Sequence, residues 1–144
     1  VAVYDKAAYA IQKAEKISGV VISSEQAYIW EKGNRDLEYA IEVEAFKKAE
    51  NKTSFEACVE YMEQYKAKRI DLTGCTLNQV LYMINRGMPV IAMTDSSHAV
   101  LLTGYTTGTV AYMNPEDGSM AVVSLDDMNA MMAGSGNTFI GYVK

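Results

Sequence analysis

The stretch His98-Ala-Val-Leu-Leu-Thr-Gly-Tyr-Thr-Thr-Gly-Thr-Val-Ala-Tyr-Met-Asn114 predicts two β-strands joined by a tight turn. Its first half, residues 98–105, is an apolar run, and residues 109–114 return with β-branched and aromatic side chains, both typical of strands. Thr106-Thr107-Gly108 supplies the turn. Since a hairpin brings the two open ends of its strands together, we expect His98 and Asn114 to lie close to each other.

The hydrophobic period of the chain changes near Pro89. Before it, apolar residues recur at three-and-four spacing, which predicts helices over residues 54–67 and 76–86. Each helix follows a capping-box sequence, Thr53-Ser-Phe-Glu56 and Thr76-Leu-Asn-Gln79. After Pro89 the pattern favours strands, and the predicted elements are strands 69–72, 89–93, 98–105, 109–114, 120–124 and 138–144, with a short helix at 125–132. The fold class is therefore α+β, with helices packed on one face of a mainly antiparallel sheet.

The N-terminal part has a different organisation. Residues 6–17 predict an amphipathic helix that ends at Ser18-Gly19, residues 19–31 predict a hairpin, and the Ala, Glu and Lys content of 36–48 favours another helix. We divide the chain into an extension of helix and hairpin, residues 1–52, and a core, residues 53–144, which together form one compact unit.

Composition excludes several classes of function. The 144 residues carry a formal net charge of −5 and no basic stripe, which argues against nucleic acid. The apolar runs are too short to span a membrane. With two cysteines and one histidine, a zinc site lacks ligands, and we expect neither a metal nor a cofactor.

Five elements of the C-terminal part occur in the order of a known family: Gly87-Met-Pro-Val90, His98, Gly104-Tyr105, Asn114-Pro115 and Gly118. In this order the chain resembles the bacteriocin-leader (double-glycine) peptidases, a branch of the papain-like cysteine peptidases. The resemblance covers about residues 53–144. Residues 19–34 also resemble an extension seen in exported Gram-positive proteins that carry such domains.

The resemblance implies a papain-like fold and a catalytic triad. His98 would move the proton, and Asn114 would take the place of the aspartate that orients the imidazole. Cys58 is the best positional candidate for the nucleophile, because it lies within a helix and has Met62 at the offset seen in the family. The alternative for His98 is an ordinary histidine at the end of a strand.

The chain departs from the family at the nucleophile. Val59-Glu60 replaces the Gly-Pro that follows the cysteine, and Lys52 stands where a glutamine would bind the oxyanion. Cys58 also lies on the apolar stripe of its helix, where burial raises the pKa of a thiol. Cys75 precedes the Thr76 cap, where the helix dipole favours a thiolate, yet the resemblance gives it no role.

Three functional hypotheses follow. The first is a degenerate peptidase-like domain that binds a peptide or protein without cleaving it. The second is an active cysteine peptidase that uses Cys58, His98 and Asn114. The third is a structural module of a secreted multidomain protein.

We interpret the chain as a piece of a longer exported precursor and expect an extracellular or cell-surface location in a Gram-positive bacterium. Asp95 is interpreted as a turn residue.

Overall fold

An antiparallel sheet forms the centre of the computed structural model, which describes residues 38–43, 46 and 48–143. Seven strands lie in this part of the chain: β1 (Tyr39–Ala40), β2 (Lys68–Asp71), β3 (Val90–Met93), β4 (Ala99–Tyr105), β5 (Thr109–Asn114), β6 (Ser119–Ser124) and β7 (Phe139–Val143). The strand order is β2-β7-β3-β4-β5-β6, and β1 pairs with the end of β4. The α-helices are α1 (Ser54–Met62), α2 (Leu77–Asn85) and α3 (Leu125–Ala133), and a 3-10 turn, Glu63–Tyr65, extends α1.

These elements confirm the α+β prediction. The strands after Pro89 lie within one residue of their predicted bounds, since the turn residues that separate them are strong local signals. The cap of α2 forms in full, because Thr76 Oγ1 accepts the Gln79 N–H and the Gln79 side chain accepts the Thr76 N–H. At α1, Thr53 Oγ1 accepts the Glu56 N–H at 3.0 Å.

The prediction that helices α1 and α2 share one face of the sheet is wrong. Helix α1 packs on a cluster that contains Ile91 and Leu101, whereas α2 and α3 pack on one that contains Val90 and Leu102. Neighbouring residues of a strand point to opposite faces, so the helices cover both sides of the sheet. All seven residues of β4 are buried for this reason.

The predicted helix at 36–48 is also wrong where the structure describes it. Residues 38–43 contain no helix, and Tyr39 and Ala40 pair with Tyr105 and Gly104. Because β3 pairs only with residues 99–102 of β4, the rest of that edge is open to β1. Gly104 permits the close approach, since a Cβ there would lie 3.0 Å from the carbonyl oxygen of Tyr39.

The remaining N-terminal predictions, the helix at 6–17 and the hairpin at 19–31, lie outside the described residues. The domain boundary at residue 52 stays a prediction, although β1 joins the sheet from the N-terminal side of it. Within the part of the chain that the structure describes, no helix is long and apolar enough to cross a membrane.

Candidate active site

His98 ends a tight loop between β3 and β4 that Asp95 organises. Asp95 Oδ1 accepts the backbone N–H groups of Ser97 and His98, both at 2.8 Å. The Thr94 N–H donates to the His98 carbonyl at 3.0 Å and closes the loop. An aspartate that binds the backbone two and three residues ahead is a common turn device, which confirms the turn role predicted for Asp95.

The imidazole of His98 lies between two carboxylates. Its Nδ1 is 2.9 Å from each oxygen of Asp95, and its Nε2 is 3.2 Å from Glu116 Oε1. Since a carboxylate only accepts, the Nδ1–H donates to Asp95. Asp95 thus fixes the orientation of the ring, and Glu116 faces the nitrogen that would exchange a proton with a substrate or nucleophile.

The loop before β4 and the turn after β5 bring Glu116 close to His98. Leu101 pairs with Met113, and the register shifts at a bulge between Leu102 and Gly104. Ala99 begins β4 and Asn114 ends β5, so the loop that carries His98 and the turn that carries Glu116 lie at the same end of these two strands. Asn114 lies two residues before Glu116.

The side chain of Asn114 has a local partner. Its Oδ1 accepts the Glu116 N–H at 3.0 Å, and its carbonyl oxygen accepts the Gly118 N–H at 2.8 Å. Asn114 therefore shapes the β5–β6 turn and supports the backbone that carries Glu116. Its role as the residue that orients His98 stays a prediction, and in this structure Asp95 holds the Nδ1 of the ring.

The charges of this cluster support one another. The hydrogen bond to Asp95, the negative charge of Asp95 and the charge of Glu116 together raise the pKa of His98. The Ser97 N–H, followed by the His98 side chain, lowers the pKa of Asp95 to about 2. The ring of His98 therefore gains a proton more readily than an ordinary histidine.

Cys58 occupies a different environment. It is fully buried on α1, within the cluster that contains Leu101 and Met113. Desolvation raises the pKa of its thiol to about 12, so the thiolate is scarce near neutral pH. The burial predicted from the helix stripe is therefore confirmed.

The N-terminus of α1 lies beside the strand that follows His98. Ser54, the first residue of the helix, accepts the Ala99 N–H through its buried Oγ at 2.8 Å. Cys58 is one turn further along, about 6 Å along the helix axis. Lys52, at the position predicted to replace an oxyanion-binding glutamine, forms an ion pair with Glu60 on the same helix.

Cys75 lies on the opposite side of the sheet from Cys58. It is fully buried in the cluster that contains Leu77 and Val80 of α2. The two cysteines are not joined in a disulfide. The predicted position of Cys75 just before the Thr76 cap is confirmed, but burial keeps the Cys75 sulfur from solvent.

The sequence profile of the Peptidase_C39-like family matches residues 7–132, which is most of the chain. The chain belongs to this family. The papain-like, bacteriocin-leader-peptidase-like resemblance is thereby confirmed. No curated protein matches the chain significantly.

A solved structure agrees with this assignment at the level of the fold. A Bacillus anthracis protein described as a C39-like peptidase superposes with a TM-score of 0.50 at 19% sequence identity. The superposition covers 64% of this chain and 59% of that one, so the chain spans less than two thirds of that protein.

Sequence reasoning missed the two carboxylates that contact His98. The spacing Asp95-Ser-Ser-His98 is a usable signal for the first, because an aspartate commonly binds the backbone N–H groups two and three residues ahead of it. Glu116 lies in the β5–β6 turn, and the sequence pattern does not show that this turn approaches His98. Among the described residues, no cluster of histidine, cysteine and carboxylate side chains could hold a metal ion.

Proposed function

We propose that this Peptidase_C39-like domain binds a peptide or a protein and does not cleave it with its own cysteines. The observation that carries the proposal is the complete burial of Cys58, whose pKa is raised to about 12. A cysteine nucleophile acts as an exposed or readily exposed thiolate beside a base. The sequence contains two cysteines, and the second, Cys75, is buried on the other side of the sheet.

The surroundings of His98 support the same proposal. Both ring nitrogens face carboxylates, Asp95 and Glu116. A papain-type pair instead needs a sulfur within hydrogen-bond reach of the imidazole. The ring would have to leave Glu116, and Cys58 would have to leave its apolar cluster, before they could form that pair.

One observation favours the alternative of an active cysteine peptidase. Asp95 holds Nδ1 of His98 as the third member of a triad holds its histidine, leaving Nε2 as the proton-exchanging atom. The residue that orients the histidine of a triad is therefore present, whereas an accessible thiolate is missing.

We also propose an exported location for the protein, which rests on the resemblance of residues 19–34 to an extension seen in exported proteins.

The experiment is a hydrolysis assay with a pool of internally quenched peptides, followed by mass spectrometry of the pool. The proteins are the wild type, Cys58→Ala, Cys75→Ala and His98→Ala, each checked by circular dichroism. We expect no turnover above that of His98→Ala, with every peptide recovered intact. Turnover that disappears in folded Cys58→Ala and His98→Ala, and remains in Cys75→Ala, would establish the active peptidase instead.

A further inference from the structure

The two outer strands of the sheet, β2 and β6, differ in how they are protected against pairing with a further strand. Strand β2, Lys68-Arg-Ile-Asp71, carries three charged residues, which is a usual defence of a sheet edge against further strand pairing. Strand β6, Ser119-Met-Ala-Val-Val-Ser124, has neither a charged residue nor a proline. No strand of the described part of the chain lies beyond β6. Every second residue of this strand therefore directs its N–H and C=O away from β5.

One face of β6 is also apolar and exposed. Met120 and Val122 pair with Met113 and Ala111, which places all four side chains on the face of the sheet that α1 covers further along. Met120 is 52% exposed and Val122 is 67% exposed. An apolar edge strand without a charged side chain is a template for a further strand.

A pocket lies beside this edge. It has a volume of about 350 Å³ and is lined by residues that include Tyr39, Gly104 and Val122. Glu38 is the charged residue of its described lining. The pocket lies over β4 and β5, and Val122 is the β6 residue that borders it.

Carboxylates surround the edge. Glu116 and Asp117 precede β6, and hydrogen bonds from Ser119 lower the pKa of Asp117. Asp126 and Asp127, both exposed, follow it at the start of α3. Lys48 is the cation near the Asp117 end, where its Cβ lies 3.8 Å from the position of a Cβ on Gly118. Glu116 also contacts Nε2 of His98, so the negative balance is weaker at this end of β6 than at the Asp126-Asp127 end.

We propose that β6 binds an extended, cationic peptide by strand addition. The peptide continues the sheet through backbone hydrogen bonds, places apolar side chains on Met120 and Val122, and directs Lys or Arg residues toward the carboxylates at the two ends. This proposal rests on the proposed function, because it names the class of peptide that the domain binds and where it binds.

Charge excludes a second copy of the chain as the favoured occupant. In an antiparallel pair of β6 strands, the Glu116-Asp117 end of one copy meets the Asp126-Asp127 end of the other. In a parallel pair, like ends meet. Either arrangement brings carboxylates together at both ends, whereas a cationic peptide neutralises them.

The test uses fluorescence anisotropy with a labelled probe, acetyl-Lys-Lys-Val-Thr-Val-Ser-Val-Lys-Lys-amide, and the full chain. Two further probes carry backbone N-methyl groups, one on the odd and the other on the even positions of the central five residues. A strand presents alternate amides to its neighbour, so each of these two probes can pair with β6 through one edge only, and in a given strand direction only one of them places its Val side chains on Met120 and Val122. We expect saturable binding of the parent probe and tighter binding of one N-methylated probe than of the other. A probe with Glu in place of every Lys should not bind.

Protein variants locate the site. Val122→Lys places a charge on the exposed edge and should weaken binding by about tenfold or more, equivalent to the loss of roughly 1.4 kcal/mol. Gln64→Lys adds the same charge at an exposed position after α1 and should change the affinity by less than about twofold, since distant sites act independently. Circular dichroism confirms that both variants fold.

Equal binding of the two N-methylated probes, absence of binding to all probes, or equal affinity of Val122→Lys and wild type would overturn the proposal. Concentration-dependent dimerisation that Val122→Lys abolishes would assign the edge to a second copy and overturn it too. Failure of strand addition leaves the hydrolysis result unaffected, and a catalytic Cys58 would leave the N-methyl pattern unaffected, so the two proposals fail separately.

Discussion

The reactivity of Cys58 provides the most direct measure of whether the domain holds a catalytic thiol. Burial raises the pKa of this thiol from an ordinary 9.0 to about 12, a rise of three. At any pH below 9 the thiolate is therefore about a thousandfold less populated than in an exposed cysteine, which corresponds to roughly 4 kcal/mol. Because the thiolate is the attacking form, native alkylation should be slower by at least this factor.

The assay is timed labelling with iodoacetamide at pH 7.0, quenched and digested with trypsin. Cleavage after Lys52 and Lys66 places Cys58 in one peptide, and cleavage after Arg69 and Arg86 places Cys75 in another, so mass spectrometry follows each thiol separately. The reference rate is that of the same peptides in concentrated urea. We expect the Cys58 rate to fall by about a thousandfold or more on folding and to stay the same in His98→Ala.

Rapid native labelling of Cys58 would refute this reasoning, provided that its pH midpoint lies well below that of an ordinary thiol and moves upward in His98→Ala. Such a result would mean that Cys58 leaves its apolar cluster and pairs with the imidazole. Cys58, His98 and Asn114 would then form the triad that the family resemblance implies. Slow labelling in urea as well would show only that the reagent is limiting, so the urea reference serves as the control.

Three further predictions concern the groups around the site. The pKa of His98 is raised above its ordinary 6.5, so the charged ring stabilises the folded protein fully below pH 6.5. This stabilisation is lost as the pH rises through the pKa of His98 in the folded protein. If His98→Gln and the wild type show the same pH dependence of urea unfolding, the prediction is contradicted. Ser54→Ala deprives the buried Ala99 N–H of its acceptor and should cost about 1–3 kcal/mol in urea unfolding, and a cost within error would show that water replaces the hydroxyl. Gly104→Val places a side chain against the β1 backbone and should separate β1 from β4. The amide of Ile41, which donates to the Thr103 carbonyl of β4 at 2.8 Å, should then exchange its hydrogen with solvent faster, while the amides between β3 and β4 keep their protection. An unchanged exchange rate of the Ile41 amide would contradict the close approach at Gly104.

The strands were predictable because their signals are local. Pro89 and the turn at Thr107-Gly108 separate runs whose period and composition already favour β structure, and a strand end moves little when its turn is fixed. The order of the strands was not predictable in this way. Strand β7 enters between β2 and β3, so that Ile140 pairs with both Asp71 and Ile91, and no pattern within a window of ten residues contains that information.

The two errors in the fold arise from tertiary context. Residues 36–48 have the composition of a helix, but the short β3 leaves an edge of β4 open, and pairing there outweighs helix propensity. The stripe on α1 shows that the helix is buried, yet it cannot show on which side. Strand β4 is apolar at nearly every position and can accept a helix on either face.

In the candidate site too, a contact made within one loop could be predicted from the sequence, whereas a contact between distant parts of the chain could not. Asp95 lies three residues from His98, and its contact with the ring comes from the loop itself, so it was within reach of the sequence. The partner of Nε2 comes from the β5–β6 turn, which the pairing of β4 with β5 brings beside the loop that carries His98. The predicted hairpin and the family resemblance both pointed to Asn114 as the partner of His98. In the structure Glu116 contacts His98, and Asn114 accepts the Glu116 N–H. The second carboxylate at the imidazole is thus a consequence of the β5–β6 turn, and it is the feature that most separates this histidine from one that lies beside a thiol.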